Sequence, residues 1–361
     1  MSKYLRPHLT RIVPYAPGKP IEELERELGI TDAVKLASNE NPLGPSPRAQ
    51  AAMHEAVAGV HRYPDSNAHL LRQRLAGLHA VDAAELSFGH GSNELIDLIC
   101  RTFAGPGAHA VIGVPSFACY RLSLMAADVS FTEVALDDGI YWNAERMLAA
   151  IQPDTRLLFL DNPNNPTSTH LGREGLTHLL TSLPEHVIAI VDEAYVHYAD
   201  APDYESALVQ RGSLPNLIVL RTFSKAHGLA AARIGYAIAP TALVEDLERG
   251  RVAFNTSGIA QAGALAALDD LDHVTKGVEL NRHERAAMTR TLLDLGLSVA
   301  PSQANFLWVE FATQAAPIYE ALLKRGVITR AFAGMPQHLR ISIGLPEENA
   351  RMLAALREIL A

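Results

Sequence analysis

The most constraining feature of this chain is an alternation. Between Ser87 and Ala239, short apolar runs rich in β-branched residues alternate with amphipathic stretches of helical spacing, the pattern of βα units closing on a mostly parallel sheet. Strands are expected in HAVIG from His109, RLLFLDN from Arg156, VIAIVDEAY from Val187, NLIVLRTF from Asn216 and RIGYAIA from Arg233. Their continuous apolar character implies burial on both faces. The covering helices are expected in ELIDLICRTFA from Glu94, FACYRLSLMAA from Phe117 and REGLTHLLTSL from Arg173.

A chain of 361 residues exceeds what one hydrophobic core usually supports. The α/β pattern therefore predicts a large domain over residues 35–260. A long helical stretch rich in Ala and Leu follows Ile259, then NFLWVEF, a helix through IYEALLKRG, LRISIG and a helix from Pro346. These predict a smaller α+β domain over residues 261–361, to which residues 1–34 also belong. The segment KLASNENPLGPSP, from Lys35, is dense in Pro, Asn and Ser and reads as an ordered loop or a linker.

Charge and composition exclude several classes. With 31 Lys and Arg against 40 Asp and Glu, the net charge of -9 opposes nucleic acid and anionic lipid, and no basic patch offsets it. No run of about 18 apolar residues occurs and the N-terminus has no apolar leader core, so a cytoplasmic location is expected. Cys100 and Cys119 read as free thiols in a reducing compartment. The histidines His54, His61 and His69 show no supported i, i+4 pair, and no metal is expected.

Open α/β sheets bind ligands at the carboxyl ends of their strands, so the residues there carry the chemical reading. Lys225 follows the strand LIVLRT, and Ser224, Lys225 and Arg233 leave that edge together. A buried amine beside a cation loses basicity and becomes a nucleophile toward an aldehyde. An aldehyde cofactor bearing a pyridine ring and a phosphate would further need a phosphate cradle, a carboxylate and an aromatic face. Gly91, Ser92 and Asn93 open a helix, where free N–H groups attract phosphate. Asp192 ends the run VIAIV, Tyr195 follows it, Phe117 follows Val114-Pro115-Ser116, and Asn165 closes the turn after RLLFL. Each also has a plain reading as a helix cap, loop carboxylate, core aromatic or turn residue. Only their conjunction at successive strand ends favours a site.

These segments, with VPYAPG, HRYPD and LRISIG, resemble the fold-type I pyridoxal-phosphate enzymes. More narrowly they resemble the histidinol-phosphate aminotransferases, nearly end to end. The resemblance implies that Lys225 holds pyridoxal 5'-phosphate and shuttles the substrate α-proton, that Asp192 pairs with the ring nitrogen, and that Tyr195 and Asn165 bond its phenolic oxygen. It implies Phe117 on the ring face, and Ser92, Asn93, Ser224 and Arg233 at the phosphate. Tyr63 would reach over from the second subunit of a homodimer with shared active sites. Tyr15, Arg330 and Arg340 would select the small-molecule substrates, Arg340 taking a phosphate in one half-reaction and an α-carboxylate in the other. Ser168 stands where the family commonly has glycine.

The expected reaction is reversible transamination between histidinol phosphate with 2-oxoglutarate and imidazole-acetol phosphate with glutamate. An aromatic amino-acid aminotransferase and a pyridoxal-phosphate-dependent decarboxylase of phosphorylated amino acids share much of this motif set. A noncatalytic regulator fused to a DNA-binding domain is disfavoured, because nothing like a basic helix-turn-helix precedes Tyr4.

Overall fold

The computed structural model describes residues 4–14 and 18–361. Its strands are β1 (Val34–Lys35), β2 (Leu86–Gly89), β3 (His109–Val114), β4 (Ser130–Ala135), β5 (Thr155–Asp161), β6 (Ile188–Asp192), β7 (Leu217–Thr222), β8 (Gly235–Ile238), β9 (Ser298–Val299), β10 (Phe306–Glu310), β11 (Val327–Ile328), β12 (Arg330–Phe332) and β13 (Met335–Ser342). The helices used below are α1 (Ile21–Leu28), α2 (Pro47–Ala56), α3 (His69–His79), α4 (Ser92–Phe103), α5 (Ala118–Ala126), α6 (Ala144–Ala149), α7 (Arg173–Ser182), α8 (Thr241–Gly250), α9 (Gly258–Ala267), α10 (Leu271–Asp294), α11 (Ala315–Leu323) and α12 (Pro346–Leu360).

Seven strands form one sheet in the order β2-β8-β7-β6-β5-β3-β4. All five expected strands lie in it, and β3 through β7 run parallel. The pattern missed β2, which is only four residues long, and β4, an edge strand with half its residues turned to solvent. It also gave no sign that β8 runs antiparallel to both neighbours. No α-helix separates β7 from β8, so the chain folds straight back. Because β2 is antiparallel to β8 as well, its carboxyl end falls on the same edge as that of β7.

Both sheet faces are buried, as the apolar runs require. Leu157, Phe159, Ile188, Ile190, Ile218 and Leu220 point to one face, where α4, α5 and α8 pack. The intervening Leu158, Leu160, Val191, Leu217 and Val219 point to the other, against α6 and α7. Each such side chain contributes on the order of 1.5–3 kcal/mol when fully buried. α9 packs on α2 and α3 at the β2 end, with Ala260 and Ala264 beside Phe88 and Phe223.

The second sheet, β12-β13-β10-β9, is antiparallel. Its Leu307, Val309, Leu339 and Ile341 face α10, α11 and α12. Strand alternation then sends Phe306, Trp308, Arg340 and Ser342 to the opposite face. β1 pairs with β11, and Leu24 of α1 packs on Ile328, which ties the N-terminal segment to this half. Cys100 is buried and Cys119 half-buried, and both are free thiols. No described helix is long and apolar enough to cross a membrane.

Gly113 in β3 lies under the Trp142 ring, and a Cβ there would approach its Cζ3 to 2.3 Å. Trp142 also donates its indole N–H to the Asp161 carbonyl at 3.2 Å. Gly113→Ala is expected to lower stability by about 1–3 kcal/mol through overpacking, read as a fall in denaturation midpoint with an unchanged denaturant slope.

Candidate active site

A cavity of about 260 Å³ opens at the carboxyl edge of the large sheet, where the second sheet covers it. It is lined by Ser92, Asn93, Phe117, Asn165, Asp192, Tyr195, Ser224, Lys225, Arg233, Arg330 and Arg340, so most residues singled out from the sequence meet there. Tyr63 does not. It is 83% exposed and stacks on Phe254, with ring centroids 4.7 Å apart. Tyr15 lies outside the described residues.

Two carboxylates stand side by side on this edge, since Asp161 ends β5, Asp192 ends β6, and the two are partners in register. Both are buried. Asp192 accepts from the Tyr120 hydroxyl at 3.1 Å and from the Ala194 N–H at 3.1 Å. Burial pushes its acid up to about 6, although these two bonds and the nearby Lys225 charge favour the anion. Asp161 accepts from the Asn165 N–H at 2.8 Å and the Asn164 amide at 3.0 Å. Burial, with the Asp192 charge adding to it, still lifts Asp161 to about 8. Burial thus disfavours the doubly charged state of this adjacent pair.

Lys225 faces these carboxylates across the cavity. Its Nζ donates to the Ser38 carbonyl at 3.3 Å and lies 5.6 Å from the centre of the Tyr195 ring. Burial, followed by the Arg340 charge, lowers its pKa to about 8. The Tyr195 hydroxyl accepts from the Asn39 amide at 3.0 Å, and burial raises it to about 12. Phe117, at the start of α5, sets its ring edge-on to Tyr120 at 5.7 Å.

The start of α4 is built as an anion cradle. Gly91 precedes it at φ 75° and supplies no side-chain cap, which leaves the first-turn N–H groups to a ligand. The Arg233 guanidinium closes over this turn. It donates to Ser224 Oγ at 3.3 Å, and a Cβ at Gly91 would come within 2.2 Å of its Nη2. Only glycine leaves room for that approach.

On the opposite wall Arg340 is buried, donating to Asn165 Oδ1 at 2.5 Å and to the Ala37 carbonyl at 2.6 Å. Arg330 is its partner across β12 and β13. Ser168 adopts φ 65°, the left-handed conformation that a glycine takes most readily. Its carbonyl accepts from Gln303 N–H at 2.8 Å, fastening this turn to the chain leading into β10.

Sequence reasoning did not single out Asp161, Tyr120 or Asn39. Asp161 carried the same signal as Asp192, a carboxylate closing an apolar strand. Tyr120 is one of many aromatic helix residues, and only the tertiary fold brings it to Asp192. Among the described residues, no cluster of three or more His, Cys, Asp or Glu could hold a metal.

Residues 31–356 match the family described as aminotransferase class I and II. The chain is 45% identical to histidinol-phosphate aminotransferase 2 of Pseudomonas aeruginosa, covering all of both chains. It is 44% identical to histidinol-phosphate aminotransferase of an Anaeromyxobacter species over 98% of each. The crystal structure of histidinol-phosphate aminotransferase from Sinorhizobium meliloti in complex with pyridoxal-5'-phosphate superposes with a TM-score of 0.91. That comparison has 29% identity and covers 100% of this chain and 98% of the other.

The lowered basicity of Lys225 has a direct readout. Modification of its amine by a small aldehyde, trapped by borohydride and located by peptide mass, is expected to accelerate with pH about a midpoint near 8. The neutral amine is the reacting form. A midpoint near that of ordinary surface lysines would contradict the buried environment.

Proposed function

The chain belongs to the aminotransferase class I and II family, and from that premise we propose that it is a pyridoxal-phosphate-dependent transaminase of histidine biosynthesis, interconverting histidinol phosphate with 2-oxoglutarate and imidazole-acetol phosphate with glutamate. The observation that carries the substrate reading is the placement of Arg340 and Arg330 as cross-strand partners on one wall of the cavity that holds Lys225. Two guanidiniums on one rung suit a phosphate dianion, and either suits a carboxylate. The full-length relatives bearing the histidinol-phosphate aminotransferase name support the same reading.

The residues present fit pyridoxal phosphate. The uncapped α4 turn with Ser92, Asn93, Ser224 and Arg233 would hold its phosphate, Asp192 its ring nitrogen, Asn165 and Tyr195 its phenolic oxygen, and Phe117 its ring face. When bound, the cofactor supplies an electron sink for the pair left behind as the substrate's α-proton departs. Asp192 would face the ring nitrogen and favour its protonated form, while Tyr120 and the Ala194 N–H hold the carboxylate in place. Lys225 supplies the amine that anchors the cofactor, and its Nζ carries the α-proton. A basicity near neutrality lets one nitrogen both take and return that proton. Arg340, fixed by Asn165 and Ala37, binds the substrate anion and so orients the α-carbon toward Lys225.

The working unit in this reading is a cytoplasmic homodimer. Val60, Tyr63, Val252 and Phe254 are exposed apolar residues. The loops bearing them are joined where the Phe254 N–H donates to Ser66 Oγ at 3.3 Å. Asn255 donates to Glu94 in the first turn of α4, so this surface flanks the phosphate cradle. A second copy docked there would bring its Tyr63 to the cradle. The pairing of β1 with β11 likewise supports assigning residues 1–34 to a small domain with 261–361, beside a large domain of 35–260.

Mixing the cofactor-loaded protein separately with histidinol phosphate and with phenylalanine, and following the cofactor absorbance, is expected to show fast conversion by histidinol phosphate alone. Preference for phenylalanine would make this an aromatic aminotransferase, and release of carbon dioxide from a phosphorylated amino acid would make it a decarboxylase. For the shared site, Lys225→Ala and Tyr63→Ala chains, each impaired alone, are expected to regain activity when allowed to exchange subunits. One mixed site then has an intact Lys225 and receives an intact Tyr63. No recovery despite confirmed exchange would place Tyr63 outside the partner's site.

A further inference from the structure

Arg330 and Arg340 sit directly opposite each other in the β12–β13 ladder, an arrangement in which like charges repel. The ring of Phe332 lies by both of them. Its centroid is 5.8 Å from the Arg330 guanidinium carbon and 5.6 Å from that of Arg340. Alternation along β12 puts Phe332 on the Arg330 side, and the pairing register shifts between Ala331 and Phe332. Trp308 of β10 supports it edge-on, with centroids 5.3 Å apart. Phe332 also lines a second cavity, of about 330 Å³, which shares Phe117, Asn165, Arg330 and Arg340 with the first.

The two arginines differ in burial. Arg340 has the Asn165 and Ala37 oxygens and a second aromatic ring, Phe306, at 5.4 Å. Arg330 is only half-buried, at the start of a three-residue strand. The negative face of an aromatic ring attracts a guanidinium within about 6 Å, so Phe332 draws both cations to one place and offsets their repulsion until an anion arrives. A dianion needs both guanidiniums together, whereas a single carboxylate is served by Arg340 alone.

We propose that Phe332 is a specificity-determining positioning residue, which holds Arg330 beside Arg340 so that the site favours a phosphate-bearing amine over an amine carrying only a carboxylate. This inference rests on the reaction proposed above and names the residue that sets its preference. Phe332 takes no part in proton transfer. Its loss therefore falls on half-saturation rather than on the saturating rate.

The test compares Phe332→Leu, which keeps apolar bulk but removes the ring, with Phe332→Tyr, which keeps the ring. Half-reactions of the cofactor-loaded proteins with histidinol phosphate and with phenylalanine, whose slower conversion still gives a half-saturation, are measured alongside calorimetric binding of inorganic phosphate to the loaded protein. In Phe332→Leu the ratio of half-saturation for histidinol phosphate to that for phenylalanine is expected to rise about tenfold, with phosphate binding weakened in parallel. Phe332→Tyr is expected to keep the wild-type ratio and affinity. An unmoved ratio, or an equal loss for both donors in Phe332→Leu, overturns the proposal. Should the unaltered protein reject histidinol phosphate, the proposed reaction fails instead. The phosphate titration then decides Phe332 independently: weaker binding in the leucine variant alone upholds it, and equal binding in all three proteins overturns it.

Discussion

Removal of water from a few ionisable groups is the constraint on which the rest of the site depends. Lys225, Asp192 and Asp161 occupy the edge of a sheet whose faces are already sealed by helices, and the second sheet lies over that edge. In bulk water, an amine and two carboxylates would all be charged near neutral pH. Enclosed here, the lysine loses basicity and the two carboxylates gain it. The covering sheet is thus part of the acid–base chemistry even though it contributes no acid or base.

The same enclosure ties distant parts of the chain together. Arg340 comes from the second sheet, Asn165 from the turn after β5 and Ala37 from the loop after β1, and two hydrogen bonds join the three. Asp161 holds that turn from behind through Asn164 and Asn165, while Gln303 grips its far end at Ser168. A buried guanidinium left without such partners would be costly. The polar contacts that hold Arg340 therefore also fasten one sheet to the other.

Much of this was legible in the sequence because strand periodicity and strand ends are local signals. The apolar runs gave β3, β5, β6, β7 and β8, and the residues just beyond them gave Lys225, Asp192, Asn165 and Phe117. What could not be read was set by pairing. The direction of β8 follows from how the chain returns after Lys225, and the short β2 and the edge strand β4 become strands only beside their neighbours. Tyr120 and Asn39 looked ordinary because their importance lies in whom they touch, 72 and 156 positions away. Asp161 shows a different failure, since its signal was present but was read only at Asp192.

The hairpin that carries Arg330, Phe332 and Arg340 turns on Ala333 and Gly334, which are exposed. The groups that would perform the chemistry are rooted in the seven-stranded sheet, far away in sequence. In the proposed reaction, recognition and reaction are accordingly written on separate lengths of chain. Variation confined to this one hairpin would then change which anion is admitted while the buried lysine and its carboxylates keep their setting, so that descendants of a single ancestor could diverge in diet without reinventing their chemistry.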